Sequence, residues 1–303
     1  MADRVLVLGA TGFVGRGVAN AVLEAGYPLR VLVRDPAVAG TLRARGVEVL
    51  QGDATDPAAL AAACAGCAAV VSTVAIRRDH RPQTFLQVNV EGPRLLGEAA
   101  RAAGVNKVVL VSEIGAQPNA KLRYLASRWA GEQALQRSGV PCTILRFSFI
   151  LGTDGGLARE FGRFANLGPM FILPDGGQQH FQPIVREDAA RCVVASLSRV
   201  DLYGQTLELG GPEVLTYEQL FDLFVRARGI AKPKMSVPIS VLVPGATLLE
   251  TLMRDPLVTA DELRTMGVES IAGGIDVVKA TFGFQPISPS VWAQSQWKLP
   301  RSA

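Results

Sequence analysis

The sequence predicts an α/β protein built on a doubly wound parallel sheet, with a smaller irregular C-terminal part. Two observations carry that reading. Apolar runs of strand length alternate with helical patterns through the first half of the chain, and Gly26, Gly46, Gly66, Gly104 and Gly139 each close a helical pattern just before the next strand. Continuous apolar strands separated by helices belong to a sheet covered on both faces. Glycine is the residue that most readily ends a helix in the left-handed conformation.

The strands are expected at 4–9, 28–34, 47–53, 68–75, 107–113 and 141–147, with helices at 14–25, 36–45, 57–65, 84–103 and 122–138. The rhythm changes after about residue 150. A loop "GTDGG" precedes a helix near 157–167, then short strands around "MFILPDGG" and "QHFQPIV". A helix at 187–199, the strand "QTLELGG", a helix at 216–229 and a Pro-rich tail follow. The expected division is a dinucleotide-binding domain over 1–155 and a substrate-side part over 156–303, with segments near 182–210 returning to the sheet. No internal repeat is visible.

With 303 residues and 49% of them hydrophobic, the chain can bury a sizeable core. The net charge of +4 is spread over single basic residues, without the aromatic-interleaved basic stripe of a nucleic-acid binder. Cys64 and Cys67 form a C-x-x-C, but no second pair completes a zinc site and only His80 and His180 are present. Small buried residues are the better reading, no metal is expected, and the thiols fit a reducing, cytoplasmic setting. The N-terminus runs straight into a strand and does not read as a signal peptide. The most membrane-like stretch, 236–253, is interrupted by Pro238 and Pro244 and contains Glu250. It is too broken to span a bilayer, so a core helix, a lid, or a surface touching lipid or a partner is expected there.

"VLVLGATGFVG" places Gly9, Gly12 and Gly15 between the first strand and an amphipathic helix. The spacing G-x-x-G-x-x-G serves a tight turn, close approach of backbone to a pyrophosphate and close helix–strand packing, with the helix N-terminus toward the anion. A Rossmann-type dinucleotide site follows. After the second strand the sequence reads "VLVRDP". Arg34 in the first place suits the extra phosphate of NADP(H), and Thr11 offers it a hydroxyl; the alternative is that Asp35 takes the ribose of NAD(H). In "GDATDP", Asp53 is placed for the adenine edge, while Asp56 reads as a helix N-cap followed by Pro57.

The "GATGFVG" turn, "GDATD", "FLQVNVEGPRLLGEAARAAGVNKVVLVS" and Tyr124 together resemble the short-chain dehydrogenase/reductase superfamily in its extended or atypical branch. The segments "PCTILRFSFILG", "QPIVREDAARCV", "LELGGPEVLTYEQL" and "PISVLVPGATLLETLMRDPLVTADEL" are similar to the nucleotide-binding accessory subunit of respiratory complex I and its stand-alone bacterial relatives. The resemblance implies a nicotinamide dinucleotide lying across the strand ends. It would touch Phe13 and Val14 with the glycines, Ala54 beside Asp53, Thr73, Val74 and Ala75 after the fourth strand, and Tyr124 with Arg128. It further implies that Tyr124 exchanges the substrate proton while hydride moves to or from the nicotinamide, that Ser112 orients the substrate oxygen, and that Asn89 has a structural or water-relay part.

Tyrosine ionises only near pH ~10 unaided, so acid–base work at neutral pH needs a nearby cation. Arg128, at i+4 from Tyr124, stands where the superfamily carries lysine: it keeps the charge but is wide and planar. The alternative is that Tyr124 packs without reacting and Arg128 pairs with Glu132. The substrate is either an undefined small molecule or, for a cofactor-holding accessory protein, a docking complex takes its place; the oligomeric state stays open. "RRDHR" at 77–81 either meets an anionic substrate or is simply solvated, and Asp188 reads as a helix-start residue.

Overall fold

The computed structural model describes residues 3–79, 82–119, 121–165, 169–253 and 256–297; His80 and Arg81 of "RRDHR" lie outside the described residues. The first half builds β1 (Val5–Leu8), α1 (Phe13–Glu24), β2 (Leu29–Val33), α2 (Gly40–Arg43), β3 (Glu48–Gln51), α3 (Pro57–Cys64) and β4 (Ala69–Ser72). It continues through α4 (Gly92–Ala102), β5 (Lys107–Glu113), α5 (Arg123–Arg137) and β6 (Cys142–Phe147). The five closing glycines all take positive φ, between +67° and +81°.

Beyond β6 come β7 (Ile150–Leu151), α6 (Leu157–Ala165), β8 (Phe171–Pro174), β9 (His180–Phe181), β10 (Ile184–Val185) and α7 (Arg186–Ser196). Then follow β11 (Thr206–Leu209), β12 (Leu215–Thr216), α8 (Tyr217–Arg228), β13 (Lys234–Val237), α9 (Ile239–Leu252), α10 (Ala260–Met266), α11 (Val277–Phe282) and α12 (Pro289–Gln296).

The principal sheet has seven strands in the order β11-β6-β5-β4-β1-β2-β3. The strand pairings from β3 through β6 are all parallel. Strand order therefore reverses between β1 and β4, the switch point outside whose strand ends a doubly wound sheet opens a crevice. Two compact units emerge: residues 1–118, 125–147 and 186–208 form one, and 119–124, 148–185 and 209–303 the other. The first packs aliphatic side chains of the sheet, such as Leu6, Val70, Val108 and Ile144, against Leu60, Leu96 and Leu135. The second has an aromatic core in which Phe171 and Phe221 stack at 3.5 Å and Trp297 Nε1 donates to the Gly152 carbonyl at 3.0 Å.

Three expected helices differ in detail. The one at 84–103 begins as a π-helix over Leu86–Glu91 before α4. The one at 36–45 splits into a 3-10 turn at Pro36–Ala39 and α2. The one at 187–199 ends at Ser196, because the chain tightens into a 3-10 turn at Val200–Leu202. In the tail, Pro238 caps α9 rather than breaking it, and Pro244 sits inside the helix. No helix among the described residues is long and apolar enough to cross a membrane. Val241, Leu248 and Leu252 of α9 are nonetheless exposed.

Lys107 opens β5 at the end of the strand away from the crevice and is only 1% exposed. Its Nζ donates to the Arg199 carbonyl at 2.5 Å and lies 4.8 Å from the Tyr203 ring centre. Burial pulls its pKa from 10.5 down to about 8. A lysine lowered on folding penalises the native state below the folded pKa, and the penalty lifts as pH climbs toward the unfolded value. Relative to Lys107→Met, wild-type unfolding free energy is expected to rise on the order of 3 kcal/mol between pH 7 and 10.5. Urea unfolding of both proteins across that range checks it; parallel pH profiles would contradict it.

Candidate functional site

The glycine turn at the β1/β4 switch is packed too closely for a side chain at Gly9 or Gly15. Gly9 has φ +81°, and a Cβ there would stand 2.6 Å from Thr73 Oγ1. A Cβ on Gly15 would stand 1.9 Å from the Gly9 carbonyl oxygen, and one on Gly12 3.2 Å from the same atom. The turn is closed by Gly12 N–H donating to that carbonyl at 2.9 Å. Gly12 caps α1 without a side-chain hydrogen bond, and the first turn, which includes Phe13 and Val14, carries no acidic residue. Its N–H groups and positive dipole end are thus left for an anion.

Around this turn stand the other expected contacts. Thr11 is exposed, and Thr73 donates through Oγ1 to the Leu8 carbonyl at 3.0 Å, tying β4 to β1 where Val74 and Ala75 follow. Arg34 is exposed at the end of β2, while Asp35 accepts from Ala37 N–H at 2.9 Å and so caps the 3-10 turn. Asp53 Oδ1 accepts from Thr55 N–H at 2.8 Å and from Thr55 Oγ1 at 2.7 Å, which shapes the loop holding Ala54. Asp56 caps α3 through Ala58 N–H at 2.9 Å, with Pro57 in the first turn.

Asn89 lies in the π-helical segment, fully buried. Its side chain accepts from Ile76 N–H and donates to the Ile76 carbonyl and to Ser127 Oγ, each at 2.9 Å. That bracket fixes the loop after β4 to α5, a structural part for Asn89. Extra-residue turns of this kind concentrate at functional sites.

Ser112, near the end of β5, gives its hydroxyl hydrogen to the Glu132 carboxylate, which is buried. Arg146 of β6 grips the same carboxylate, with Nη2 2.6 Å from Oε2, and reaches Glu208 at 3.2 Å. Burial works to lower the Arg146 pKa, but hydrogen bonds and charge from Glu132 and Glu208 outweigh it and hold it above its ordinary range. Glu132 is thus not the partner of Arg128. The i+4 pairing loses to a guanidinium from β6 that meets the carboxylate through several donors. Arg128, 4% exposed, instead donates through Nη2 to the Val111 carbonyl beside Ser112. Its Nε is buried and meets no acceptor among the described residues.

Tyr124 sits in the first turn of α5 and is buried. The Asp261 carboxylate accepts from the N–H groups of Arg123 and Tyr124, each at 2.9 Å, and so caps that helix. Asp188 lies buried in the first turn of α7 with Arg191 at 3.6 Å. No His/Cys/Asp/Glu group among the described residues fits a metal ion. The bonds of Glu132 to Ser112 and Arg146, and the cap that Asp261 places on α5, were not foreseen from the sequence, since each joins residues well separated along the chain.

These residues fit a nicotinamide dinucleotide. A Cβ at Gly9 or Gly15 would collide within the turn, the helix end is uncapped by a side chain, and a buried guanidinium keeps a donor to spare. Residues 9–199 match the NAD(P)H-binding family. The chain is 34% identical to ceramide reductase of Caulobacter vibrioides over 63% of its own length and 60% of that protein. It is 29% identical to an NAD(P)H azoreductase of Xenophilus azovorans over 92% and 93% of the two chains. It is also 23% identical to the NADH-ubiquinone oxidoreductase 40 kDa subunit of Neurospora crassa, over 85% and 68%. Among solved structures, gox2253 superposes with a TM-score of 0.75 at 27% identity, covering 97% of this chain and 96% of the other. The fold is also that of Citrobacter sp. triphenylmethane reductase complexed with NADP(H), TM-score 0.73 at 22% identity over 97% and 99%. The chain belongs to the NAD(P)H-binding family, among reductase- and epimerase-like proteins of the short-chain dehydrogenase/reductase fold.

Proposed function

We propose that the protein is an NADP(H)-dependent oxidoreductase, acting on a carbonyl/alcohol pair with Tyr124 as acid and base. The observation that carries the cofactor preference is the division of labour after β2. Asp35 spends a carboxylate oxygen on the turn at Pro36–Ala39, while Arg34 is exposed at the strand end. A planar guanidinium there suits a phosphate monoester better than a ribose hydroxyl. Two relatives are named as reductases, which supports the reaction class without defining a substrate.

A nicotinamide held at this site would supply the hydride chemistry. The rest falls to side chains of this chain. Tyr124 delivers a proton from its hydroxyl to the substrate oxygen, or takes it back in the reverse direction. The fixed charge of Arg128 favours the phenolate left behind. Replacing Arg34 by glutamine is expected to weaken NADPH binding about tenfold and leave NADH binding unchanged, measured by calorimetric titration. A wild-type protein that holds NADH more tightly than NADPH would overturn the preference.

A second reading is favoured by one contact. Ser112 gives its hydroxyl hydrogen to Glu132, so orienting a substrate oxygen would mean exchanging a buried, charge-assisted bond. This suits a protein that holds its cofactor and docks on a larger assembly, as a likeness to a respiratory subunit also suggests. Such a protein co-purifies with stoichiometric, slowly exchanging cofactor, whereas an enzyme in turnover releases it.

A further inference from the structure

One side of α9 is anchored and the other is bare. Asp175 accepts from the Ile239 N–H at 2.8 Å and fixes the start of the helix. Ala246 packs against Ala260 and Leu263 of α10. Glu250 is the only charged residue of α9, and its carboxylate accepts from the Ala260 N–H, at the start of α10. Thr247 and Thr251 donate their hydroxyls to carbonyls of α9 itself, at 2.9 and 2.7 Å. The outer face is left without a charge, and Val241, Leu248, Leu249, Leu252 and the adjoining Met253 are 40–74% exposed. Val241, Gly245, Leu248 and Leu252 follow at spacings of four, three and four, the pattern of a helix-packing seam. A Cβ on Gly245 would meet nothing within 4 Å, so the fold of a single copy does not require glycine there. Glycine weakens a helix interior, and in this seam it leaves a hole for a side chain from another helix.

We propose that this face of α9 is the contact between two copies of the chain, packed antiparallel across a two-fold axis. An axis passing between Ala246 and Thr247 sets Gly245 against the partner's Leu248, Pro244 against the partner's Leu249 and Val241 against the partner's Leu252. All three pairs share that one midpoint, and in each a larger side chain meets a smaller one. The exposed apolar surface is on the order of 500 Å² per copy, so a pair would cover about 1,000 Å², near the lower limit for a specific interface and suited to a reversible dimer. No like charges meet across the axis. A lipid surface fits less well, because helices that lie on anionic bilayers carry lysine and arginine on their polar face and α9 has neither. The contact uses no residue of the dinucleotide turn and stands apart from the oxidoreductase reading.

The test is sedimentation equilibrium of the full chain for wild type, Leu248→Glu and Gly245→Leu, with thermal unfolding alongside. Wild type is expected to pass from monomer to dimer over roughly 1–300 μM. Leu248→Glu places a carboxylate in the seam and is expected to weaken the dimer at least about tenfold. Gly245→Leu is the sharper variant. A monomer has room for the side chain and leucine is the better helix former, so the melting temperature should hold or rise. The same side chain fills the hole meant for the partner's Leu248, so the dimer should weaken about tenfold or more. A face that is merely adhesive would instead associate more tightly. The proposal is overturned if wild type stays monomeric throughout, if Leu248→Glu dimerises as wild type does, or if Gly245→Leu strengthens association. Cosedimentation of monomeric wild type with phosphatidylglycerol vesicles, tightened by Gly245→Leu, would also overturn it and assign the face to lipid.

Discussion

Gly15→Ala is expected to reduce dinucleotide affinity by at least about 100-fold, or ~2.7 kcal/mol. The added methyl would fall 1.9 Å from the Gly9 carbonyl oxygen, which is backbone and held by the Gly12 N–H. The two nearest atoms are backbone, and the third, Thr73 Oγ1 at 2.8 Å, is tied to the Leu8 carbonyl, so none swings away freely. The turn must open, and the N–H groups of α1 then leave the line on which a pyrophosphate sits. Gly12→Ala is the internal control. Its Cβ would be 3.2 Å from the same oxygen, a contact that a shift of a few tenths of an ångström relieves, so a loss of only a few-fold is expected. Calorimetry with NADPH, beside circular dichroism to show that both variants fold, separates the two. Equal affinities in Gly15→Ala and wild type would remove the turn from the site.

Tyr124→Phe is expected to lower turnover by about 100- to 1000-fold while leaving NADPH affinity within about two-fold of wild type. The substitution deletes one hydroxyl and keeps the ring, so the packing of this buried residue changes little. The backbone bonds from Arg123 and Tyr124 to Asp261 do not involve the phenol and should persist. A fall in kcat and kcat/KM together, with cofactor affinity unmoved, is the signature of a group used only in the transition state. A variant with unchanged turnover would leave Tyr124 a packing residue and favour the cofactor-holding reading.

What the sequence revealed and what it concealed divide by range. The glycine turn, the Asp56–Pro57 helix start and the closing glycines are local devices, each set by a few neighbouring residues, and all are legible as written. The C-x-x-C was read correctly as structure for a similar reason. Cys64 and Cys67 are both buried, and burial pushes the Cys64 thiol up to about 12, far from a reactive thiolate. The environment of Arg128 was not legible. From spacing alone Glu132 is its natural partner, but Arg146 arrives from strand β6, and that competition exists only after the helix has packed on the sheet. Asp261 caps α5 from more than a hundred positions downstream, so no window of sequence around Tyr124 contains it. The π-helical segment at Leu86–Glu91 hides inside an ordinary amphipathic pattern, because one extra residue in a turn barely disturbs the apolar spacing.

The central claim is that Tyr124 is prepared as an acid when cofactor is bound, and it is testable without any substrate. Tyrosinate absorbance is followed against pH with and without NADP+, and the same titration of Tyr124→Phe is subtracted to isolate one phenol among the four tyrosines. The account predicts a cofactor-dependent difference signal with a midpoint well below the free value of ~10. A midpoint at or above that value with NADP+ demonstrably bound would contradict it, and would direct the search toward the assembly on which a cofactor-holding protein docks.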